Sequence, residues 1–175
     1  ENEDLVNLPN WLPLTFKIGD GPWLRPAEVR HLEHRRALDL AGGVLTTRLR
    51  LADEAGRVTR LVERRFVSMR DPHLAALELE ITPENWSGEL TLAASVDGTV
   101  VNAGVERYRD LEGRHLETLA TGRDQGVVWL RSRMRQSRVE VAVAARLAVR
   151  AAGGVGERDV EQLADTVTEH VPVEA

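Results

Sequence analysis

FVSMRDPHLAALELEITPENWSGELTLAASVDGTVVNAGVERY, residues 66–108, is the stretch that decides the fold class. Apolar and charged residues alternate along it from Leu77 to Ile81. After a break at 83–88, a second alternation runs from Glu89 to Val96, with leucine, alanine and valine on one side. A period of two residues turns one face of an extended chain towards a core and the other towards water. The centre of the chain is therefore predicted to be antiparallel β structure.

Further alternating runs and turn signals extend this pattern along the chain. The other predicted strands are 12–18, 44–51, 58–67, 99–101, 114–120, 127–134 and 139–145. The segments 53–56 and 122–126 predict two hairpins, and Asp97-Gly98 predicts a tight turn before the short strand that follows it. Turn signals about ten residues apart are typical of a sandwich or barrel. We predict a single all-β domain over residues 1–175, an antiparallel β-sandwich with at most one or two short helices.

The secondary structure of two segments can be interpreted either as helix or as strand. Ala27 to Asp39 has helical propensity, with Pro26 as the opening residue, but Val29 to Leu40 fits a strand with irregular ends equally well. Glu157 to Glu169 has the composition of a short helix, whereas Thr166 to Val173 also fits a strand. The pattern alone does not decide either segment.

Composition bounds the class of protein. The chain has 175 residues, 29% charged and 42% hydrophobic, which suits one domain with a sizeable core. It has no cysteine, and no run of about eighteen apolar residues that would predict a membrane span. A net charge of −5 disfavours a nucleic-acid partner, and the acidic start is unlike a signal peptide. We expect a soluble cytoplasmic domain with neither nucleic acid nor membrane as its partner.

Four tryptophans are candidates for sugar binding, because sugars stack on aromatic rings. They are Trp11, Trp23, Trp86 and Trp129. The commoner use of an indole is packing at strand ends, turns and domain contacts. Trp86 lies in a predicted turn, where we expect it to fold back as a cover. Sugar stacking by Trp11, Trp23 and Trp86 remains the alternative.

Carboxylates and histidines predict neither a catalytic pair nor a metal site. The acids considered are Glu28, Glu33, Asp39, Glu63, Asp71, Glu78, Glu80, Asp97 and Asp110. Glycoside chemistry needs two opposed carboxyl groups with different pKa values, and no motif marks such a pair. His31 and His34 would share a face only in a helix, and no third ligand stands at a telling distance. We predict no catalytic residue, no metal and no cofactor.

Arginines form two groups. They are Arg48, Arg50, Arg60, Arg64 and Arg65, and then Arg131, Arg133, Arg135 and Arg138. Alternate arginines on a strand make a basic stripe that suits a phosphate or an acidic partner. The commoner case is a solvated face that pairs with glutamates on neighbouring strands.

Three phrases of the sequence carry a resemblance to a known family. NLPNWLPLTFKIGDGPWL, FVSMRDPHLAALELEITPENWSG and DGTVVNAGVERYRDLEGRHL resemble the N-terminal domain of glycoside hydrolase family 65, which contains maltose, trehalose and kojibiose phosphorylases. The likeness runs from about Leu5 to Arg146. It implies an all-β super-sandwich, with further strands before Glu1 and after Ala175, that leans on a separate helical barrel.

The resemblance also implies a function. In that family, phosphate attacks the anomeric carbon of an α-glucoside with inversion, and a glutamic acid of the barrel protonates the leaving oxygen. No residue of this chain corresponds to that glutamic acid. The implied role is a non-catalytic scaffold that packs on the barrel and makes homodimer contacts, while sugar and phosphate are substrates of the parent enzyme. A carbohydrate-binding module that uses surface tryptophans is the alternative.

Overall fold

The computed structural model describes residues 5–103 and 113–175, and it is built from β-strands. In chain order they are β1 Leu14–Ile18, β2 Arg30–Asp39, β3 Val44–Ala52, β4 Val58–Val67, β5 Ala75–Pro83, β6 Glu89–Asp97, β7 Leu116–Asp124, β8 Val127–Met134, β9 Glu140–Ala145, β10 Gly154–Val155, β11 Asp159–Gln162 and β12 Thr166–Glu174. The helical element among these residues is a single 3-10 turn at Pro26–Glu28. The predicted all-β class is confirmed, and the described residues include no helix that is long and apolar enough to cross a membrane.

The strands form three antiparallel sheets. Their orders are β1-β6-β12-β10 with β11 also paired to β12, then β2-β3-β4-β5, and β7-β8-β9. The chain divides into two compact units. The first comprises the described residues of Glu1–Lys17 and Leu90–Glu174, and the second comprises Ile18–Glu89 with Ala175.

The first unit has a hydrophobic core between its two sheets. Its buried centre consists of Val96 on β6, Val128 and Leu130 on β8, and Val167 on β12. Along β12, buried positions alternate with partly exposed ones. Period-two burial of this kind is how facing strands fill the space of a sandwich. The two sheets of this unit therefore pack as a β-sandwich.

The second unit is a meander of four strands. Leu51 pairs with Thr59 across the predicted hairpin of β3 and β4, which is confirmed. Strand β2 occupies most of the segment whose helical propensity was noted, so the helix at Ala27–Asp39 is wrong and the strand is right. Pro26 lies in the 3-10 turn Pro26–Glu28, which precedes β2. Pairing with β3 along most of β2 outweighs a local preference that is worth little per residue.

The first unit confirms one hairpin and corrects two other predictions. Strands β7 and β8 form the expected hairpin, but its turn is tighter than 122–126, because Gln125 and Gly126 both adopt positive φ. The predicted strand at 99–101 is wrong. Gly98 N–H donates to the carbonyl of Asp165, so the chain leaves β6 there instead of turning back along it as a hairpin. The helix at Glu157–Glu169 is also wrong, because β11 and β12 pair there as antiparallel strands.

Candidate functional site

One end of the four-stranded sheet carries a concentration of exposed apolar side chains. The β2–β3 turn and the β4–β5 loop lie at the same end because the strands are antiparallel. We define the apolar end as Leu38, Leu40, Phe66, Val67, Met69 and Leu74, all of which are exposed. Leu40 is 86% exposed and Met69 is 98% exposed. Apolar side chains grouped in water mark a surface that contacts another molecule or domain.

The β4–β5 loop that presents Met69 is held by its own hydrogen bonds. Ser68 N–H donates to the carbonyl of Leu74 over 2.9 Å. The side chain of Asp71 accepts from the backbone N–H of His73 over 3.0 Å, and Asp71 N–H donates to Ser68 Oγ over 3.0 Å. His73 thus contributes its backbone to the turn. Met69 is therefore exposed on a loop whose conformation is held by hydrogen bonds.

The opposite end of the same sheet is closed by polar contacts. Arg57 Nε lies 2.7 Å from Asp53 Oδ2 across the β3–β4 turn. Asn85 accepts from Val58 N–H over 2.6 Å and donates to the carbonyl of Gly56 over 3.0 Å. The sheet therefore has a hydrogen-bonded polar end and an apolar end, and the apolar end offers area to a hydrophobic partner.

The predicted arginine stripe of the second unit is split between the two faces of the sheet. We define the arginine face as Arg48, Arg50, Arg60 and Arg64, which alternate on one side of β3 and β4. Arg65 pairs with Leu45 and lies on the other side. The predicted wet face of β5 is also seen, since Arg64 lies 2.7 Å from Glu78 and 3.8 Å from Glu80.

Two arginines of the second group pair with glutamates, as the commoner case predicts. Arg133 lies 2.6 Å from Glu140, and Arg138 lies 3.7 Å from Glu117. The hydrogen bond from Arg133, together with the charges of Arg133, Arg131 and Arg138, holds the pKa of Glu140 below its usual range. This group is a solvated ion-pair surface.

The tryptophans occupy different environments. Trp86 is partly buried and donates its indole N–H to Thr59 Oγ1 over 2.9 Å, so it covers the sheet as expected. Trp23 is 36% exposed, and Trp11 is partly buried beside the backbone bridge from Asn10 to Asp97. Trp23 and Trp86 belong to the second unit, and Trp11 to the first. Trp129, also in the first unit, lies with its ring against Gly122.

His31 and His34 lie on the same face of strand β2. The prediction that they would share a face only in a helix is therefore wrong. A β-bulge between His31 and Glu33 inserts Leu32 as an extra residue, so His31 pairs with Leu51 and His34 with Leu49. Their ring centroids are 5.8 Å apart. In the part of the chain that the structure describes, no three His, Cys, Asp or Glu side chains are grouped to hold a metal ion. Among the predicted acids, Asp110 lies outside the described residues.

A buried carboxylate that the sequence did not single out lies in the first unit. Glu169 is 1% exposed, with Arg158 Nη1 at 3.0 Å and Arg123 Nη2 at 4.0 Å. In the sequence, the only sign that Glu169 is buried is its spacing of two residues from Val167 and from Val171, which places all three on one face of β12. Glu169 is therefore a core carboxylate held in an ion pair.

Asp165 is the other carboxylate with a displaced pKa. The Thr118 hydroxyl and the Arg114 guanidinium hold the pKa of Asp165 below its usual range. The arginine contact, at 2.6 Å, is the better formed of the two, because Thr118 Oγ1 meets no acceptor in hydrogen-bonding geometry.

The chain matches a known family along its whole length and known proteins along part of it. Residues 1–175 match the family described as "Glycosyl hydrolase family 65, N-terminal domain". An uncharacterized glycosyl hydrolase of Mycobacterium tuberculosis is 46% identical over 146 residues, which is 83% of this chain and 11% of the relative. Kojibiose phosphorylases of Caldanaerobacter subterraneus and Thermoanaerobacter brockii are 36% and 34% identical, over 61% and 57% of this chain and 14% and 13% of the relatives. The chain thus spans between 11% and 14% of the length of these curated relatives.

Proposed function

The chain belongs to glycosyl hydrolase family 65, whose N-terminal domain it matches over residues 1–175, and we propose that it is the non-catalytic N-terminal domain of an inverting disaccharide phosphorylase acting on α-glucosides. The family membership itself confirms the resemblance carried by the sequence. The proposed role is that of a scaffold that packs on a helical catalytic barrel of the same protein and contributes to dimer contacts. Sugar and phosphate then bind in the barrel.

The electrostatics of the described carboxylates support a non-catalytic role. A glycosidic acid needs a raised pKa in order to hold its proton near neutral pH. The two described carboxylates whose pKa values are clearly displaced, Glu140 and Asp165, are both displaced downward. Glu78 and Glu80 face the cation of Arg64. The lowered pKa values suit Glu140 and Asp165 to ion pairs and not to proton donation.

The apolar end is the observation that carries the scaffold role. Six large apolar side chains face water at one end of a sheet whose other end is polar and hydrogen-bonded. A fully exposed apolar side chain that becomes buried gains about 1.5–3 kcal/mol from leaving water, of which only part remains as affinity. A domain that lies against the barrel would cover this end.

The scaffold role is tested in the intact protein with Leu40→Ser combined with Met69→Ser. These side chains are almost fully exposed, so the domain is expected to fold while its docking weakens. We expect calorimetry to show two separated unfolding transitions in place of one, and limited proteolysis to cut between domains sooner. Leu163→Ser, an exposed leucine outside the apolar end, is the matched control and should change neither measurement. An unchanged calorimetric profile for the double variant would refute the assignment of this surface.

The non-catalytic role has a separate test. The 175-residue chain, incubated with an α-linked disaccharide and phosphate, is expected to release no sugar phosphate, whereas the intact protein is expected to release β-glucose 1-phosphate. Sugar phosphate from the short chain alone would contradict the proposal. Sedimentation of the intact protein checks the dimer, which a monomer at high concentration would rule out.

Carbohydrate binding by Trp11, Trp23 and Trp86 is the second candidate, and the exposure of Trp23 favours it. Trp23 offers more open ring surface than Trp86, whose N–H is engaged by Thr59. Titration calorimetry with glucose, maltose, trehalose and kojibiose is the test. Binding that Trp23→Ala abolishes would support this candidate, and the absence of heat with all four sugars would remove it.

A further inference from the structure

The arginine face places like charges directly opposite each other. Arg50 on β3 and Arg60 on β4 are cross-strand partners, so their Cβ atoms lie about 5 Å apart. Arg48 stands on the same face, directly across from Val62 and therefore diagonal to Arg60. Like charges directly opposite each other destabilise a pair of strands.

The carboxylates that border the arginine face are already engaged. Each lies within ion-pair distance of an arginine: Glu33 with Arg35, Glu84 with Arg50, and Glu78 and Glu80 with Arg64. Arg48 and Arg60 form no ion pair with any other residue that the structure describes, and both are exposed. Arg48 and Arg60, at the centre of the arginine face, therefore carry positive charge that no described carboxylate meets within ion-pair distance.

Val62 lies at the centre of the arginine face. It is 7% exposed although it points to the same face as the arginines, with Arg60 and Arg64 two residues away on β4 and Arg48 opposite. Arginine stems cover apolar side chains while their charged heads stay in water. We attribute the burial of Val62 to the long side chains that surround it, among them that of Glu80, which faces it from β5.

From this geometry we propose that Arg48 and Arg60 bind the phosphate group of a small ligand. Guanidinium groups match phosphate oxygens with paired N–H donors, and they keep their charge at all relevant pH values. Inorganic phosphate and a sugar phosphate present the same group. The site is carried by the second unit alone and does not depend on the scaffold role.

The test uses the intact protein and the double variant Arg48→Gln with Arg60→Gln. Titration calorimetry is carried out with inorganic phosphate, with glucose 6-phosphate and with glucose as the neutral probe. Arg131→Gln is the matched control, since Arg131 is an exposed arginine of another sheet. We expect the double variant to weaken binding at this site at least tenfold for both phosphate-bearing probes, while Arg131→Gln leaves it unchanged. A tighter complex with glucose 6-phosphate than with inorganic phosphate would identify the sugar ester as the ligand, and equal affinities would identify the phosphate group alone.

Thermal unfolding supplies an independent readout. A ligand that binds only the folded protein raises the midpoint of unfolding. Phosphate should raise the midpoint of the parent and of Arg131→Gln but raise it less in the double variant. Without phosphate, Arg60→Gln alone should raise the midpoint, because it removes the repulsion from Arg50. Coincident phosphate isotherms for the parent and the double variant, or a glucose isotherm that the double variant weakens as much as the phosphate isotherm, would overturn the proposal.

Discussion

Arg158 Nη1 lies 3.0 Å from Glu169 Oε1, and this carboxylate is 1% exposed between valines of β12. Arg123 approaches the same oxygen at 4.0 Å, while Oε2 has no hydrogen-bond partner among the described residues. The core of the first unit thus contains a charge that one close arginine neutralises. Burying a carboxylate is costly, so its stability depends on that partner.

Arg158→Met should lower the free energy of unfolding by about 3 kcal/mol, because it leaves a buried charge poorly compensated. Chemical unfolding in urea measures the change. Adding Glu169→Leu to this variant should restore most of the loss, since a hydrophobic replacement of the whole pair removes the desolvation cost. Arg133→Met, which breaks the exposed pair with Glu140, is the control and should have a much smaller effect. Equal losses in the two single variants would contradict this account.

Gly122→Ala should disturb the packing of Trp129. A Cβ at Gly122 would lie 2.5 Å from Cζ2 of the tryptophan ring, which is closer than atoms can pack. Either the ring or the β7–β8 pair must shift, at a cost of about 1–3 kcal/mol. Urea unfolding and near-ultraviolet circular dichroism measure the loss and the movement of the ring. Gly154→Ala, where no atom lies within 4 Å of the added Cβ, is the control. A Gly122→Ala protein as stable as the parent would show that the ring moves freely.

Local patterns predicted the strands well, because alternation reports which residues share a face. The hairpins of β3 with β4 and of β7 with β8 were found from alternation and turn residues alone. Pairing between distant strands was not predictable in this way. Strands β5 and β6 follow each other in the sequence but belong to different sheets, and β6 neighbours β1 and β12.

The surfaces could be predicted from the sequence only in part, for a similar reason. The arginine stripe was visible in the sequence, but only the register of β3 and β4 separates Arg65 from the others. The bulge at Leu32, which brings His31 and His34 to one face, has no glycine or proline to announce it. The apolar end combines a turn and a loop that lie about thirty residues apart, so it becomes one surface only when the meander folds.

The stability of the protein should depend on Asp165 at low pH. Its pKa is lowered in the folded state, and the contact that the geometry supports is the Arg114 guanidinium 2.6 Å away, so folding favours the ionised form. A lowered pKa contributes stability above the unfolded value of about 3.9, and that stability is lost as the pH falls through the folded pKa. Urea midpoints measured from pH 7 down to pH 3 should fall less steeply in Asp165→Asn than in the parent. Parallel curves would contradict the assignment.

Thr59 and Thr47 offer a matched pair of tests on the same face of the four-stranded sheet. Thr59 is 5% exposed and accepts the indole N–H of Trp86, whereas Thr47 is 7% exposed and its Oγ1 has no partner among the described residues. Thr59→Val should cost about 1 kcal/mol, because the N–H of Trp86 loses its acceptor. Thr47→Val should be neutral or stabilising by about 1 kcal/mol, because it removes a buried hydroxyl that nothing satisfies. Urea unfolding distinguishes the two, and similar losses in both variants would mean that valine is simply a poor fit on this face. A loss of sugar binding in Thr59→Val without a loss of stability would assign Trp86 to the ligand surface instead of the sheet.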